Sequence, residues 1–216
     1  AAGFPVEDLG GRLVLTARQL SGEVSRGRLL GGRLEGHWSM RRGDRPRPHR
    51  VEATVRGMRL AGFLSTLGVP PAGLGARTDV DAELGWSDAD VRSGRGEAVA
   101  RLTAAPRGLP VTGEVRVRLE PSGLLHFSAD ALSVGDSLVR WQGPLALGSW
   151  EPSWSAIADP AVLGELVPLA NAWIGREVLP EGIQGLGEVQ VDLAGSWRQP
   201  TVGVRLEAHP LVWQPL

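Results

Sequence analysis

The chain has no cysteine, no lysine and no tyrosine, and only three phenylalanines in 216 residues. Without cysteine it cannot form a disulfide framework, a thiolate metal site or a thiol nucleophile, although this absence does not assign a redox compartment. Without lysine every basic side chain is an arginine, a usage that a GC-rich coding bias explains and that is weak evidence of function. Charge of one sign is also missing. The 23 basic and 24 acidic residues leave a net charge of −1. That removes the electrostatic footprint of a nucleic-acid binder, so no nucleic acid is expected as partner. No run approaches the ~18 apolar residues of a membrane span. The opening Ala1-Ala2-Gly3-Phe4 carries neither an initiator methionine nor a signal peptide, and Val202 to Trp213 reads as a strand and turn without a closing element. Residues 1–216 are therefore expected to be one segment of a longer repetitive protein.

Templates for chemistry are absent as well. His37, His49, His126 and His209 stand far apart, none at metal-ligand spacing, and are expected on polar faces or turns. Gly182-Ile183-Gln184-Gly185-Leu186-Gly187 superficially matches a phosphate-binding fingerprint, but that motif needs a strand before it and a helix after it. Here a strand follows, so the run reads as a turn. Asp79, Asp81 and Glu83 alternate with Val80, Ala82 and Leu84, the pattern of a solvated strand face. Arg41-Arg42-Gly43-Asp44-Arg45-Pro46-Arg47-Pro48-His49-Arg50 is the one charge run. It reads as a flexible solvated loop, or as a site for phosphate headgroups or an acidic partner; its Arg-Gly-Asp triplet is short enough to arise by chance. The expectation is a protein that is not an enzyme and carries no cofactor and no metal.

What the chain does have is alternation. In Gly113-Glu114-Val115-Arg116-Val117-Arg118-Leu119-Glu120 odd positions after the glycine are apolar and even ones charged, which marks a half-buried strand. Glu188 to Leu193, Asp79 to Leu84 and Val202 to Glu207 repeat the pattern. Weaker copies run over Leu13–Ala17, Leu34–Met40, Val51–Val55, Ala98–Leu102, Leu125–Ala131 and Val139–Leu147, making about ten strands. Breaks at Gly31-Gly32, Ala105 to Gly108, Pro121-Ser122-Gly123 and Gln199-Pro200 are too short for parallel crossovers, so neighbours should be antiparallel. Two stretches depart from this rhythm. Leu60 to Leu67 has helical spacing. Asp159-Pro160 reads as a cap and first helical position for a helix over Val162–Val167, which Pro168 ends or kinks unless Leu169 to Ile174 continue it. The eight tryptophans, among them Trp38, Trp86, Trp141, Trp197 and Trp213 in or just beyond strands, suit either a core or an apolar trough.

The run Gly187-Glu188-Val189-Gln190-Val191-Asp192-Leu193-Ala194-Gly195-Ser196-Trp197-Arg198-Gln199-Pro200-Thr201-Val202-Gly203-Val204-Arg205-Leu206-Glu207-Ala208 resembles the repeat of the TamB family, where a strand ending in Gly-Ser or Gly-Thr leads through a proline to the next strand. Val134 to Leu145 is similar to another recurring piece. So are Leu60-Ala61-Gly62-Phe63-Leu64 and Asp81-Ala82-Glu83-Leu84-Gly85-Trp86, a pattern shared with AsmA-like proteins. The resemblance implies a long envelope protein of diderm bacteria, anchored in the inner membrane, that crosses the periplasm as a curved β-sheet with an apolar groove (a β-taco). It further implies glycerophospholipid transfer toward the outer membrane and, for some members, a partnership with an Omp85-class barrel. The anchor and the barrel-facing region are not found in this stretch, as expected of an internal or C-terminal-half fragment.

The expected fold is thus all-β, an elongated curved antiparallel sheet forming an open groove, with one or two short helices. Its apolar face costs about 25 cal/mol per Å2 when left in water, so it packs on itself or binds something greasy. A sandwich or closed barrel satisfies the same alternation. Small residues at Ala17, Ala82, Ala98, Ala100, Ala129 and Ala131 leave room between walls and favour a groove. Its expected lining is Val115, Val117, Leu119, Val139, Trp141, Val189, Val191, Leu193, Val202, Val204 and Leu206, facing phospholipid acyl chains. The alternatives are a scaffold for outer-membrane protein assembly or secretion acting through free strand edges, and a purely structural solenoid or sandwich.

Overall fold

The computed structural model describes residues 5–43, 47–66, 68–87, 90, 93–149, 151–175, 177, 180, 182–196 and 199–213. Twelve strands follow one another: β1 (Val6–Leu15), β2 (Gln19–Leu29), β3 (Gly32–Arg41), β4 (Pro48–Arg59), β5 (Leu74–Ser87), β6 (Arg95–Ala104), β7 (Leu109–Leu119), β8 (Leu124–Val134), β9 (Ser137–Ala146), β10 (Glu151–Val162), β11 (Ile183–Ser196) and β12 (Gln199–Trp213). Helix α1 (Leu60–Thr66) lies between β4 and β5, and α2 (Leu163–Ile174) between β10 and β11. Each strand pairs with the next, all antiparallel, in the spatial order of the sequence. The sheet is open: β1 and β12 do not meet, and among the described residues no second sheet packs on it, so they form neither a sandwich nor a closed barrel.

Local chemistry explains the meander. The turns are short and glycine-marked, as at Leu30-Gly31 and Gly135-Asp136, and hairpins of that length force antiparallel neighbours. The strands run 10 to 15 residues, longer than the alternating cores of the sequence. Two of them escape sequence reading. In β2 the residues facing the apolar side begin Leu20, Gly22, Val24, and a register shift between Val24 and Arg28 then breaks the period. In β10 small residues, Ala156 and Ala158, occupy such positions, and Asp159-Pro160 imitates a helix start. Gln199-Pro200 opens β12 instead of separating strands, and Ile183 to Gly187 is already strand instead of turn. No helix follows that glycine run, so a phosphate-binding geometry has no element to form on.

The helix expected at Asp159 starts later. Asp159 and Pro160 lie inside β10, α2 begins at Leu163, and its N-cap residue Val162 makes no side-chain cap, so Asp159 is not the cap. The strand wins because Ala158 and Ala161 still pair with Val189 and Gly187 across a register shift. The helix passes through Pro168 and ends at Gly175, whose N–H donates to the Asn171 carbonyl. Its apolar side packs as the spacing requires: Leu163 is fully buried and Val167 nearly so. Two polar groups fasten its start. The Val162 N–H donates to Ser137 Oγ at 2.8 Å, and the Asp136 N–H donates to Glu165 Oε2 at 3.0 Å. Gly135, at φ 59°, leaves room for that carboxylate where a Cβ would collide with it.

Seven of the eleven antiparallel pairings carry a register shift: Glu7–Gly11, Val24–Arg28, Val55–Met58, Gly113–Arg116, Ala129–Leu132, Ala158–Ala161 and Gly185–Gly187. All lie toward the strand ends that carry the helices. A bulge bends its strand and increases local twist, so a row of them creases the sheet along one line. Beyond this crease β5 and β7 also pair directly, Leu74 with Leu109 and Gly75 with Pro110. Strands flanking a third normally sit roughly 10 Å apart, twice the strand spacing, so the sheet puckers here. A cluster of buried apolar side chains fills the pucker. Ala76, Leu102, Val111, Ala129, Leu132 and Val134 are buried together beneath Leu60 of α1 and Leu166 of α2. Helix α2 is tied to the connection between α1 and β5, where Trp173 Nε1–H donates to the Pro70 carbonyl at 2.8 Å.

Candidate functional site

Paired residues of antiparallel strands share a face, so the register assigns every side chain to one of two sides. One row runs Leu13–Gly22–Trp38–Val51–Leu84–Gly96–Leu119–Leu125–Leu145 across nine strands. A second runs Val139–Ala158–Val189–Leu206, and a third Trp141–Ala156–Val191–Val204. Val117 pairs with Ala98 and Phe127, Val115 with Ala100, and Leu193 with Trp154 and Val202. All eleven residues singled out from the sequence therefore stand on one apolar face that continues from β1 to β12. Their burial differs along it. Leu119 is buried, Val115, Val139 and Trp141 pack against the puckered core, and Val202 and Val204 are 36% and 44% exposed. At the other margin Leu13 and Leu15 are 70% and 64% exposed. The helices roof this face at one set of strand ends; toward the margins it is open.

Two of the expected small positions fall elsewhere. Ala17 lies past the end of β1, in the turn to β2, and Ala131 is exposed at the β8 bulge, where the extra residue shifts the period. Ala82, Ala98, Ala100 and Ala129 are on the apolar face as their parity requires.

Aromatic side chains gather on this face in two groups. Phe127, Trp141 and Trp154 meet at centroid distances of 5.3 to 5.7 Å, stacked or edge-on. Gly143 makes room for them: a Cβ there would lie 2.7 Å from Trp154 Cα. The second group corrects an expectation. His49 is on the apolar face instead of a polar one, stacked 5.0 Å from Trp86 and 6.1 Å from Trp38. Its Nδ1 is shielded from solvent and has no hydrogen-bond partner. The signal was present in the sequence, because His49 stands two residues before Val51 and shares its parity. Phe127 and Trp154 were missed for other reasons, one standing in a weak alternation and the other in an unrecognised strand. Trp197 and Asp44 of the Arg-Gly-Asp triplet lie outside the described residues.

The opposite face is charged, and its ions hold one another. Arg116 meets Glu114 at 2.9 Å and Arg118 meets Glu97 at 3.2 Å, which places both arginines outside the apolar surface. The acidic row of β5 serves the sheet. Asp79 accepts the N–H of Gly57 at the β4 bulge, and Glu83 pairs with Arg50. Asp81 takes hydrogen bonds from Arg56 at 2.6 Å, Arg101 at 2.8 Å and Thr54 at 3.2 Å. The Arg56 bond, backed by Arg101, holds the Asp81 carboxyl below the usual carboxylate range against the opposing pull of desolvation. A lowered folded-state pKa favours the ionised form, so this contribution to stability is complete above the unfolded pKa of about 4 and fades as pH falls through the folded value. A carboxyl-carbon NMR titration should place the Asp81 midpoint below that of an aspartate in a model peptide, and Arg56→Ala should move it upward. A midpoint unchanged by Arg56→Ala would contradict the assignment.

Recesses indent the sheet. One of about 510 Å3 lies on the charged side between Glu35, Thr54, Asp81 and Val99. A larger one of about 1150 Å3 lies at the strand ends opposite the helices, reached by Gln19 of β2 at one side and Pro121 after β7 at the other. Among the described residues no group of histidines and carboxylates is arranged to hold a metal, and no helix is long and apolar enough to cross a membrane. Compared with protein-family models, curated proteins and solved structures, the chain matches none.

Proposed function

We propose that this chain is a non-enzymatic segment of a lipid conduit, holding phospholipid acyl chains against its apolar face. The observation that carries the reading is continuity: one face is apolar across twelve strands, is roofed by two helices at one side, and has no second sheet against it among the described residues. An apolar surface of that extent on a protein marks an interaction site, and its residues are aliphatic and aromatic with few polar groups among them. Acyl chains suit it because they need contact and no directional bonds. The resemblance to the TamB family supports the same reading. Under it the chain acts in the periplasm as part of a longer protein anchored in the inner membrane, with an Omp85-class partner met through other regions.

A second reading rests on the sheet margins. Among the described residues the outer edges of β1 and β12 have no strand beside them, and an edge of that kind can capture an extended peptide, as a scaffold for outer-membrane protein assembly would. Mass spectrometry of an organic extract of the purified chain separates the two. The conduit reading expects glycerophospholipid in at least stoichiometric amount, whereas lipid-free protein that captures unfolded barrel strands would replace it with the scaffold.

A further inference from the structure

Resting on the conduit reading, we infer that the strand ends opposite the helices form a headgroup site that selects anionic glycerophospholipids through Arg41 and Arg95. The larger recess wraps these ends. On its apolar side stand Met40, His49 and Leu119; on its charged side stand Arg41, Arg50, Arg95 and Arg118. A lipid can therefore lay its chains on one side of the rim while its phosphate reaches the other. The opposite strand ends are closed to this arrangement, since α1 and α2 cover the apolar face there.

Charge bookkeeping within the recess singles out two of the four arginines. Its carboxylates all have partners: Glu83 holds Arg50 at 2.8 Å, Glu97 holds Arg118 at 3.2 Å, and Glu120 lies 3.5 Å from His126 Nε2. Among the described residues Arg41 and Arg95 have no acidic partner, and both are exposed. Guanidinium groups bind phosphate diesters through paired N–H donors, and two uncompensated ones favour a lipid with net negative charge over a zwitterion. His49 lines the same recess on its apolar side, its ring stacked between the indoles of Trp38 and Trp86. Arg41, which opens the charge run, thus acquires a role beyond that of a solvated loop.

The test uses vesicles of equal phosphatidylglycerol and phosphatidylethanolamine, incubated with the lipid-stripped chain, followed by mass spectrometry of the lipid retained. Wild type should be enriched in phosphatidylglycerol at least roughly fivefold, the scale that a single arginine contact gives toward anionic lipid. Arg41→Glu with Arg95→Glu should abolish that enrichment without lowering total lipid, while Arg77→Glu, exposed on the charged face at the helix end, should retain it. An unchanged ratio in the double variant, or an equal loss in the Arg77 variant, overturns the headgroup site and leaves the conduit standing. No retained lipid in any of the three proteins overturns the conduit and the headgroup site with it. Glycerol phosphate alone should bind weakly; tight binding that needs the same two arginines would make this a site for free phosphate and refute the lipid version.

Discussion

A glutamate in place of Val117 should leave the sheet folded and reduce bound lipid by at least about tenfold. Val117 lies mid-strand on the apolar face, flanked by Ala98 and Phe127, where an acyl chain would contact it. An unpaired carboxylate under an acyl chain loses its hydration, at a cost of several kcal/mol, and about 1.4 kcal/mol already corresponds to a factor of ten. In the free protein position 117 is only partly buried and the carboxylate keeps part of its water, so folding is affected less than loading. Val191→Arg on β11 should behave alike. Arg116→Glu, on the charged face with its side chain 68% exposed, should carry lipid like wild type and cost no more than about 1 kcal/mol of stability. The readout is lipid per protein after a circular-dichroism melt has confirmed a cooperative transition. Folded inner-face variants that load lipid at the wild-type level would end the conduit reading, and variants that cannot fold would show that the face is a packed core.

Leu163→Ala should be the most destabilising single truncation on α2. The side chain is fully buried among Ala158, Ala161, Val167 and Ile183, where α2 leaves β10 and β11 begins. Removing it from such a site costs about 2–5 kcal/mol, because the lost transfer energy is joined by a cavity the neighbours only partly fill. For a chain of this size that lowers the melting temperature by about 5–15 °C. Leu138→Ala, at a residue 38% exposed on β9, should cost less than about 1 kcal/mol. Hydrogen exchange localises the effect: amides of 163–174 should lose protection before those of β5–β7, since the helix is held by Leu163, the Glu165 contact and the Trp173 bond. Uniform loss of protection across the sheet would mean that α2 is an integral part of the cooperative unit and no separable roof.

The division of the chain into an apolar and a charged face was determined by the sequence alone. Side-chain parity repeats every two residues along a strand, so Val115, Val117 and Leu119 must part from Arg116 and Arg118 whatever the strand pairs with. Antiparallel order was legible for a similar reason, since the connections are too short for crossovers. Parity read less well where the apolar set is small or interrupted: β2 and β10 offer glycine and alanine at facing positions, and His49 does not look like a member of an apolar row. Only the tertiary structure decided what became of the apolar face. Whether a second sheet covers it, where seven register shifts align into a crease, and which strand ends α1 and α2 roof all depend on residues far apart in sequence, such as Leu60 and Leu166 over one core or Trp173 and Pro70 in one hydrogen bond. Alternation is a property of each strand by itself, whereas curvature and covering arise from the sum of bulges and contacts across strands, which no local pattern encodes.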